Sequence, residues 1–306
     1  LPVWLTKHGQ TGLAWLLSLL APAAHAQSLS PRTYWPAPTG TTVVVAGYQY
    51  QTGDVVTDPS LPITGVDSDI HSALLAWQRT LDLLGRTGKL QLELPYSSGT
   101  TRGQVEGLPD RRDVDGPGDL AAVLSVNLLG APAMSPSEFQ ALRAQPHPIL
   151  AASLRLVAPT GQYDKDRLIN IGTNRWSTRA ELGYIRPLSP KWLLEAAAGT
   201  WFFSDNDDFL GTTREQKPIY AFNTSMVHRL RPGFWASLDA TYYLGGRTTV
   251  DGDRNADLQR NARLGVTLSY PFKGRYLLKA SFTQGLVTEA GGDFDSFAVS
   301  LGVQLK

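Results

Sequence analysis

Near the C-terminal end, Phe297, Val299, Leu301, Val303 and Leu305 alternate with Ala298, Ser300, Gly302 and Gln304. One apolar face and one small or polar face is a period of two, which marks a β-strand with different surroundings on its two sides. The alternation recurs upstream. Leu90, Leu92 and Leu94 stand against Gln91 and Glu93; Ala180, Leu182 and Tyr184 against Arg179 and Glu181; Ala262, Leu264, Val266, Leu268 and Tyr270 against Arg263, Thr267 and Ser269. Twelve such runs are predicted, at 41–51, 69–84, 89–97, 119–130, 148–158, 175–187, 191–203, 218–230, 234–244, 258–271, 275–285 and 294–305. An even number returns both ends of the wall to one side, as bacterial barrels do.

The connections alternate in length. Gly85-Arg86-Thr87-Gly88, Leu188-Ser189-Pro190, Arg231-Pro232-Gly233 and Phe272-Lys273-Gly274 read as tight turns, and between them lie longer polar loops at 52–68, 98–118, 159–174, 204–217, 245–257 and 286–293. Short periplasmic turns facing long external loops are the asymmetry of an outer-membrane barrel. The exception is 131–147, where Ser135-Pro136-Ser137-Glu138 caps a short periplasmic helix near 136–144. Periodicity alone does not say whether the charged faces meet solvent or line a lumen. The loop asymmetry, an export leader and aromatic residues near strand ends (Tyr48, Tyr50, Tyr96, Tyr184, Trp192, Phe202, Tyr220, Tyr242, Tyr270) choose the lumen. The fold class is therefore all-β, a transmembrane up-and-down antiparallel β-barrel of about 12 strands. Arg79 is the awkward residue, a charge on the apolar face of the second run.

Lys7 and His8 precede an apolar stretch at 12–23 that is shorter than the roughly 20 residues of a helical span, and Ala24-His25-Ala26 follows. This reads as a cleaved signal peptide over 1–26, then a Pro-rich periplasmic lead over 27–40 (Pro31, Pro36, Pro38), with the barrel over 41–306. Without the leader, 27 basic residues balance 27 acidic ones, dispersed along the chain, which argues against a nucleic-acid partner. Cysteine is absent, so the fold is held without disulfides.

Little in the sequence suggests catalysis or a cofactor. His71, His147 and His228 have no neighbours at metal-ligand spacing, and His71 beside Ser72 puts a base and a nucleophile on opposite faces of one strand. Asp205, Asp207 and Asp208 are weak metal candidates in what reads as a solvated loop tip. The expected lumen carries both signs: Arg155, Arg179, Arg263 and Lys279 against Glu93, Glu181, Glu195 and Asp239. A strongly ion-selective pore shows rings of one sign, so balanced charges predict pairs that brace or narrow the interior. Twelve strands enclose a bore suited to a small ligand.

Several blocks carry a family resemblance. Gly116-Pro117-Gly118-Asp119-Leu120, Ala158-Pro159-Thr160-Gly161-Gln162-Tyr163-Asp164, Asn170-Ile171-Gly172-Thr173-Asn174-Arg175-Trp176, Trp201-Phe202-Phe203 and Tyr242-Tyr243-Leu244-Gly245-Gly246-Arg247 are similar to the bacterial family labelled "MetA-pathway of phenol degradation". The resemblance implies an outer-membrane barrel linked to uptake of aromatic or other hydrophobic compounds, with no catalytic residues. Gly161, Tyr163, Asn170, Asn174 and Trp176 fall in these blocks and are expected at the mouth or in an inward-folded constriction. The expected function is passive passage of small hydrophobic or aromatic solutes through the bacterial outer membrane. Outer-membrane lipid, lipopolysaccharide, the solute and the barrel assembly machinery are the expected partners. A structural or adhesive barrel with a blocked lumen, or a membrane-embedded lipid hydrolase, are the alternatives.

Overall fold

The computed structural model describes residues 31–56, 63–105 and 107–305. The leader expected at 1–26 lies outside the described residues. In chain order the strands are β1 (Thr42–Val56), β2 (Ile63–Leu83), β3 (Arg86–Val105), β4 (Leu108–Pro117), β5 (Ala121–Leu129), β6 (Ile149–Val157), β7 (Ser177–Pro187), β8 (Trp192–Phe203), β9 (Asn206–Phe209), β10 (Thr212–Gln216), β11 (Ile219–Arg231), β12 (Phe234–Gly245), β13 (Thr248–Val250), β14 (Asp253–Arg254), β15 (Gln259–Phe272), β16 (Tyr276–Val287) and β17 (Gly291–Gln304). One helix, α1 (Pro136–Ala144), lies between β5 and β6. Twelve strands, all but β4, β9, β10, β13 and β14, form an antiparallel wall, and β1 pairs with both β2 and β17 to close it. Each of the twelve predicted runs is a wall strand.

β15 shows which face is which. Leu264, Val266, Leu268 and Tyr270 are 38–52% exposed, whereas Arg263, Thr267 and Ser269 between them are at most 4% exposed. The greasy stripe is outside and the polar stripe inside, the inverse of a soluble sandwich. Aromatic residues ring this band at both rims. Tyr48, Tyr96, Phe202, Tyr220 and Tyr242 stand outward at the end bearing the long loops (the upper end), and Tyr184, Trp192 and Tyr270 at the end bearing the tight turns (the lower end). On β8, Trp192 and Phe202 are ten positions apart. At about 3.3 Å per residue and a typical tilt near ~40°, that is about 25 Å, the apolar height of such barrels. Arg79 is opposite Thr42, the first residue of β1, so it sits at the lower rim rather than in the middle of the apolar band.

The turn expected at 85–88 is the two-residue turn Leu84-Gly85, with φ of 55° and 78°, and Arg86 to Gly88 already belong to β3. Two consecutive positive φ angles match the hairpin twist. The capping box is present on α1: Ser135 N donates to Glu138 Oε2 at 2.7 Å, and Ser135 Oγ accepts from Glu138 N at 3.4 Å. Three stretches expected as loops are instead strands, and much of a fourth, 52–68, lengthens the wall, with β1 running on to Val56 and β2 beginning at Ile63. Upper β3 pairs with β4, and β9, β10, β13 and β14 form a four-stranded sheet over the upper end. Neither β4 nor these four short strands belongs to the twelve-stranded wall, so they have no greasy stripe and no period of two to betray them.

Candidate functional site

The wall places one stripe of every strand in the bore, and the bore divides into three levels. At the lower level, apolar residues point inward: Ile149, Ala151, Ile185, Leu193, Val227 and Trp235 are all buried. They surround Tyr34 and Trp35, so residues 31–36 lie inside the barrel rather than hanging below it as the expected periplasmic lead. Polar contacts fix the segment. Tyr34 Oη donates to Glu181 Oε1 at 2.6 Å and lies 2.9 Å from Ser153 Oγ. Lys89 Nζ donates to the Thr33 and Trp35 carbonyls at 2.7 and 2.6 Å, and Asn127 Nδ2 to the Tyr34 carbonyl at 3.2 Å. Arg32 N donates to Glu195 Oε2 at 2.7 Å, while the Arg32 guanidinium stacks on Trp35, 3.8 Å from the ring centroid. Gly183 leaves the hollow that the Tyr34 ring occupies, since a Cβ there would collide with it. The sequence does carry a signal for this plug. Ile149-Leu150-Ala151 and Trp192-Leu193-Leu194 break the alternation at lower strand ends, where the bore itself must be apolar and filled.

The middle level holds the expected charges. Glu93, Arg155, Arg179, Glu181, Glu195, Asp239, Arg263 and Lys279 all occupy inward positions. Arg155 Nη1 donates to Glu93 Oε1 at 3.0 Å across the intervening β5, and Arg179 pairs with Glu181. Asp239 accepts from Ser237 and Thr267 hydroxyls at 3.0 and 2.7 Å. Arg263 Nη2 reaches the Phe294 carbonyl from β15 at 2.5 Å. Opposite charges paired along and across the wall narrow the bore and cost less than the same charges unpaired.

At the upper level the loop 158–176 folds over the mouth. Asp119 clasps it, accepting from Gly161 N at 2.8 Å, Thr173 N at 2.9 Å and Thr173 Oγ1 at 2.7 Å. Gly161 and Gly172 meet backbone to backbone, and a Cβ on Gly161 would sit 2.8 Å from the Gly172 Cα. Asn170 is a staple within the loop, its Oδ1 accepting from Asp164 N at 2.8 Å while Nδ2 donates to the Asp164 and Arg167 carbonyls. Tyr163 donates to the Asp208 carbonyl at 3.0 Å and accepts from Asn206 Nδ2 at 2.8 Å, and burial pushes its phenol upward in pKa. Asn174 Nδ2 donates to Asn206 Oδ1 at 2.9 Å. Four of the five expected constriction residues thus build the cap. Trp176 does not. It is 49% exposed and immediately precedes β7, in phase with the outward residues Ala180, Leu182 and Tyr184, so it belongs to the upper aromatic rim.

Asp205, Asp207 and Asp208 are exposed, and no group of three or more acidic, His or Cys side chains is placed to hold a metal among the described residues. His71 lies outside with Tyr48, whose Oη is 2.7 Å from His71 Nδ1, while Ser72 Oγ is 2.9 Å from Ser97 Oγ on the other face. The two cannot cooperate.

Sequence reading missed Arg175 and Arg214. Both are buried within the upper cover, Arg175 in loop 158–176 and Arg214 on β10, with Arg175 stacked 4.4 Å over the Phe203 ring centroid and Arg214 5.3 Å over that of Phe209. Burial, then the neighbouring Arg214, pushes Arg175 down to about 9. Their aromatic partners sit at alternate-strand spacing in the block 201–209, which was the available signal.

The chain is similar to the COG4313 outer membrane channel from Pseudomonas putida F1, with a TM-score of 0.78 and 24% identity over 91% of this chain and 100% of that one. At that identity the likeness establishes the fold. The beta domain of the Bordetella autotransporter BrkA (TM-score 0.49, 14% identity, 87% and 100% covered) and the transport unit of the autotransporter AIDA-I from Escherichia coli (0.49, 9%, 97% and 96%) are more distant and carry no argument. No protein with a curated description matches the chain. The model of a family described as "Putative MetA-pathway of phenol degradation" matches residues 64–301.

Proposed function

The chain belongs to this phenol-degradation family, and from that membership we propose that it is a channel of the bacterial outer membrane for passive passage of small hydrophobic or aromatic solutes. One observation carries the reading: what fills the bore is not wall. The lower level is occupied by residues 31–36 and the upper by loop 158–176, both held by side-chain contacts rather than by the strand ladder. Segments of that kind can move while the closed wall stays intact, because loops open at lower free energy than a paired sheet. The outward apolar band calls for lipid, and the upper loops would meet lipopolysaccharide. Export by a cleaved leader and insertion by the assembly machinery complete the picture.

Uptake of a phenolic solute by intact cells, with and without the protein, tests this at low external concentration. A several-fold faster uptake with the protein is expected, together with measurable conductance in planar bilayers. The second reading, a sealed structural barrel, is favoured by the apolar packing of Tyr34 and Trp35. Equal uptake, and silence in bilayers even after removal of 31–38, would decide for it.

A further inference from the structure

Arg175 and Arg214 are each 8% exposed, yet neither guanidinium has a carboxylate within 4.0 Å among the described residues. The acids nearby, Asp119 and Asp205 for Arg175 and Asp257 for Arg214, close no ion pair with them. Asp119 is turned to Gly161 and Thr173, and Asp257 accepts from Thr248 N at 2.9 Å and Thr248 Oγ1 at 2.6 Å. The two arginines share one neighbourhood. Arg214 and Gln216 are on the same face of β10, and Gln216 Oε1 accepts from Arg175 Nη2. Arg175 Nη1 and Arg214 Nε are buried with no hydrogen-bond partner among the described residues, and the same holds for the indole Nε1 of Trp201.

Two buried like charges without a directly paired carboxylate are costly, and each orphaned donor adds the penalty of a buried polar group left without a partner. Water would satisfy the N–H groups but would bring no negative charge. A carboxylate supplies both, and guanidinium forks match its geometry. The neighbourhood is also aromatic. The Trp201 and Phe203 rings lie parallel, 7° apart in plane and 6.4 Å between centroids, and Phe203 and Phe209 back the two guanidinium groups. A small ligand with an anionic end and a flat apolar body fits this chemistry better than a neutral apolar solute or an aliphatic anion.

We propose that Arg175, Arg214 and Trp201 form a receptor, where the upper cap meets β8 and β10, for the carboxylate of a small aromatic acid. The proposal rests on the channel reading and narrows its solute class from aromatic compounds at large to aromatic anions. Binding is the first step in passage. The cap built on Asp119 must loosen to admit the ligand, and the ligand's carboxylate then makes the direct ion pair that neither guanidinium has.

Calorimetry on the full-length detergent-solubilised barrel, with benzoate, phenol and acetate as probes, tests it without a membrane. Benzoate is expected to bind at least tenfold more tightly than either of the others, and Arg214→Gln or Arg175→Gln to weaken benzoate at least tenfold. Arg214→Lys, which keeps the charge, is expected to fall between. Heat-modifiable migration on gels identifies folded variants. Should the glutamine variants fail to fold, the probe series on the unaltered protein decides alone. Benzoate no tighter than acetate or phenol, or a folded Arg214→Gln barrel with unchanged affinity, overturns the site. Benzoate binding without any solute uptake by cells sinks the channel reading and leaves the receptor standing. Uptake of phenol without benzoate binding does the reverse.

Discussion

At its lower end the bore is packed with Tyr34 and Trp35 against Ile149, Ile185, Leu193 and Val227, whereas at its upper end it is covered by a loop whose ties are mostly hydrogen bonds accepted by Asp119, Asn170 and Asn206. The first closure is driven by removal of apolar surface from water, at roughly 25 cal/mol per Å². The second is driven by satisfied polar groups, each worth only about 1 kcal/mol net but costly to break singly. An apolar plug should resist salt and small pH changes and yield only when its anchors are cut out. A polar cap containing uncompensated arginines should respond to anions. The lower end is therefore suited to set how wide the bore is, and the upper end to set what enters.

The largest expected effect comes from deleting residues 31–38 from the exported chain. Single-channel conductance should rise several-fold, because the deletion empties the packed apolar level while every wall strand remains. Unchanged conductance would mean that the charge pairs of the middle level, not the plug, limit flow. Gly183→Val sharpens the point without shortening the chain. The new side chain takes the Tyr34 hollow, the ring must leave, and conductance should move part of the way toward the deletion. A variant indistinguishable from the parent would show that the plug repacks around the added volume.

A smaller effect is expected at the top. Asp119→Ala removes three charge-assisted hydrogen bonds at once, which costs the cap roughly 3 kcal/mol or more. Loop 158–176 should become sensitive to protease while the barrel stays folded, with conductance changing less than after plug deletion. A cap as resistant as the parent would show that the Gly161–Gly172 backbone contact, not Asp119, is the fastener.

Much of this was legible from the chain. β15 spells out its two faces residue by residue, and Ser135-Pro136-Ser137-Glu138 announces α1, because each is a local pattern that one environment enforces. The inward charges from Glu93 to Lys279 were legible for the same reason. What was hidden depends on who meets whom. Nothing local says that Tyr34 will reach Glu181, or that Arg175 will lie beside Arg214. Trp176 was misplaced because a strand-end aromatic and a mouth aromatic look alike until the fold leaves one of them exposed just ahead of β7. The strands above the membrane band were missed because a strand outside the wall has no stripe to display.

The smallest expected effect tests whether the lower closure is truly apolar. α1 borders it, burying Leu142 in the same cluster as Trp35. Its N-terminal cap is polar: hydrogen bonds from the Ser135 backbone and side chain hold the Glu138 carboxyl below its ordinary value. A depressed carboxylate contributes stability that is present above its unfolded pKa of about 4.3 and is lost as pH falls through the lower, folded value. Acid should therefore fray the first turn of α1, seen as faster amide exchange at Ser135 and Glu138 below pH 4 when corrected for the intrinsic rate. Glu138→Gln should remove most of that pH dependence. Conductance through the lower level should stay flat over the same range, since Leu142 and the plug are held by burial that protons do not alter. A bore that opens in acid in parallel with the fraying would tie the plug to the helix cap, and the contrast between an apolar bottom and a polar top would no longer hold.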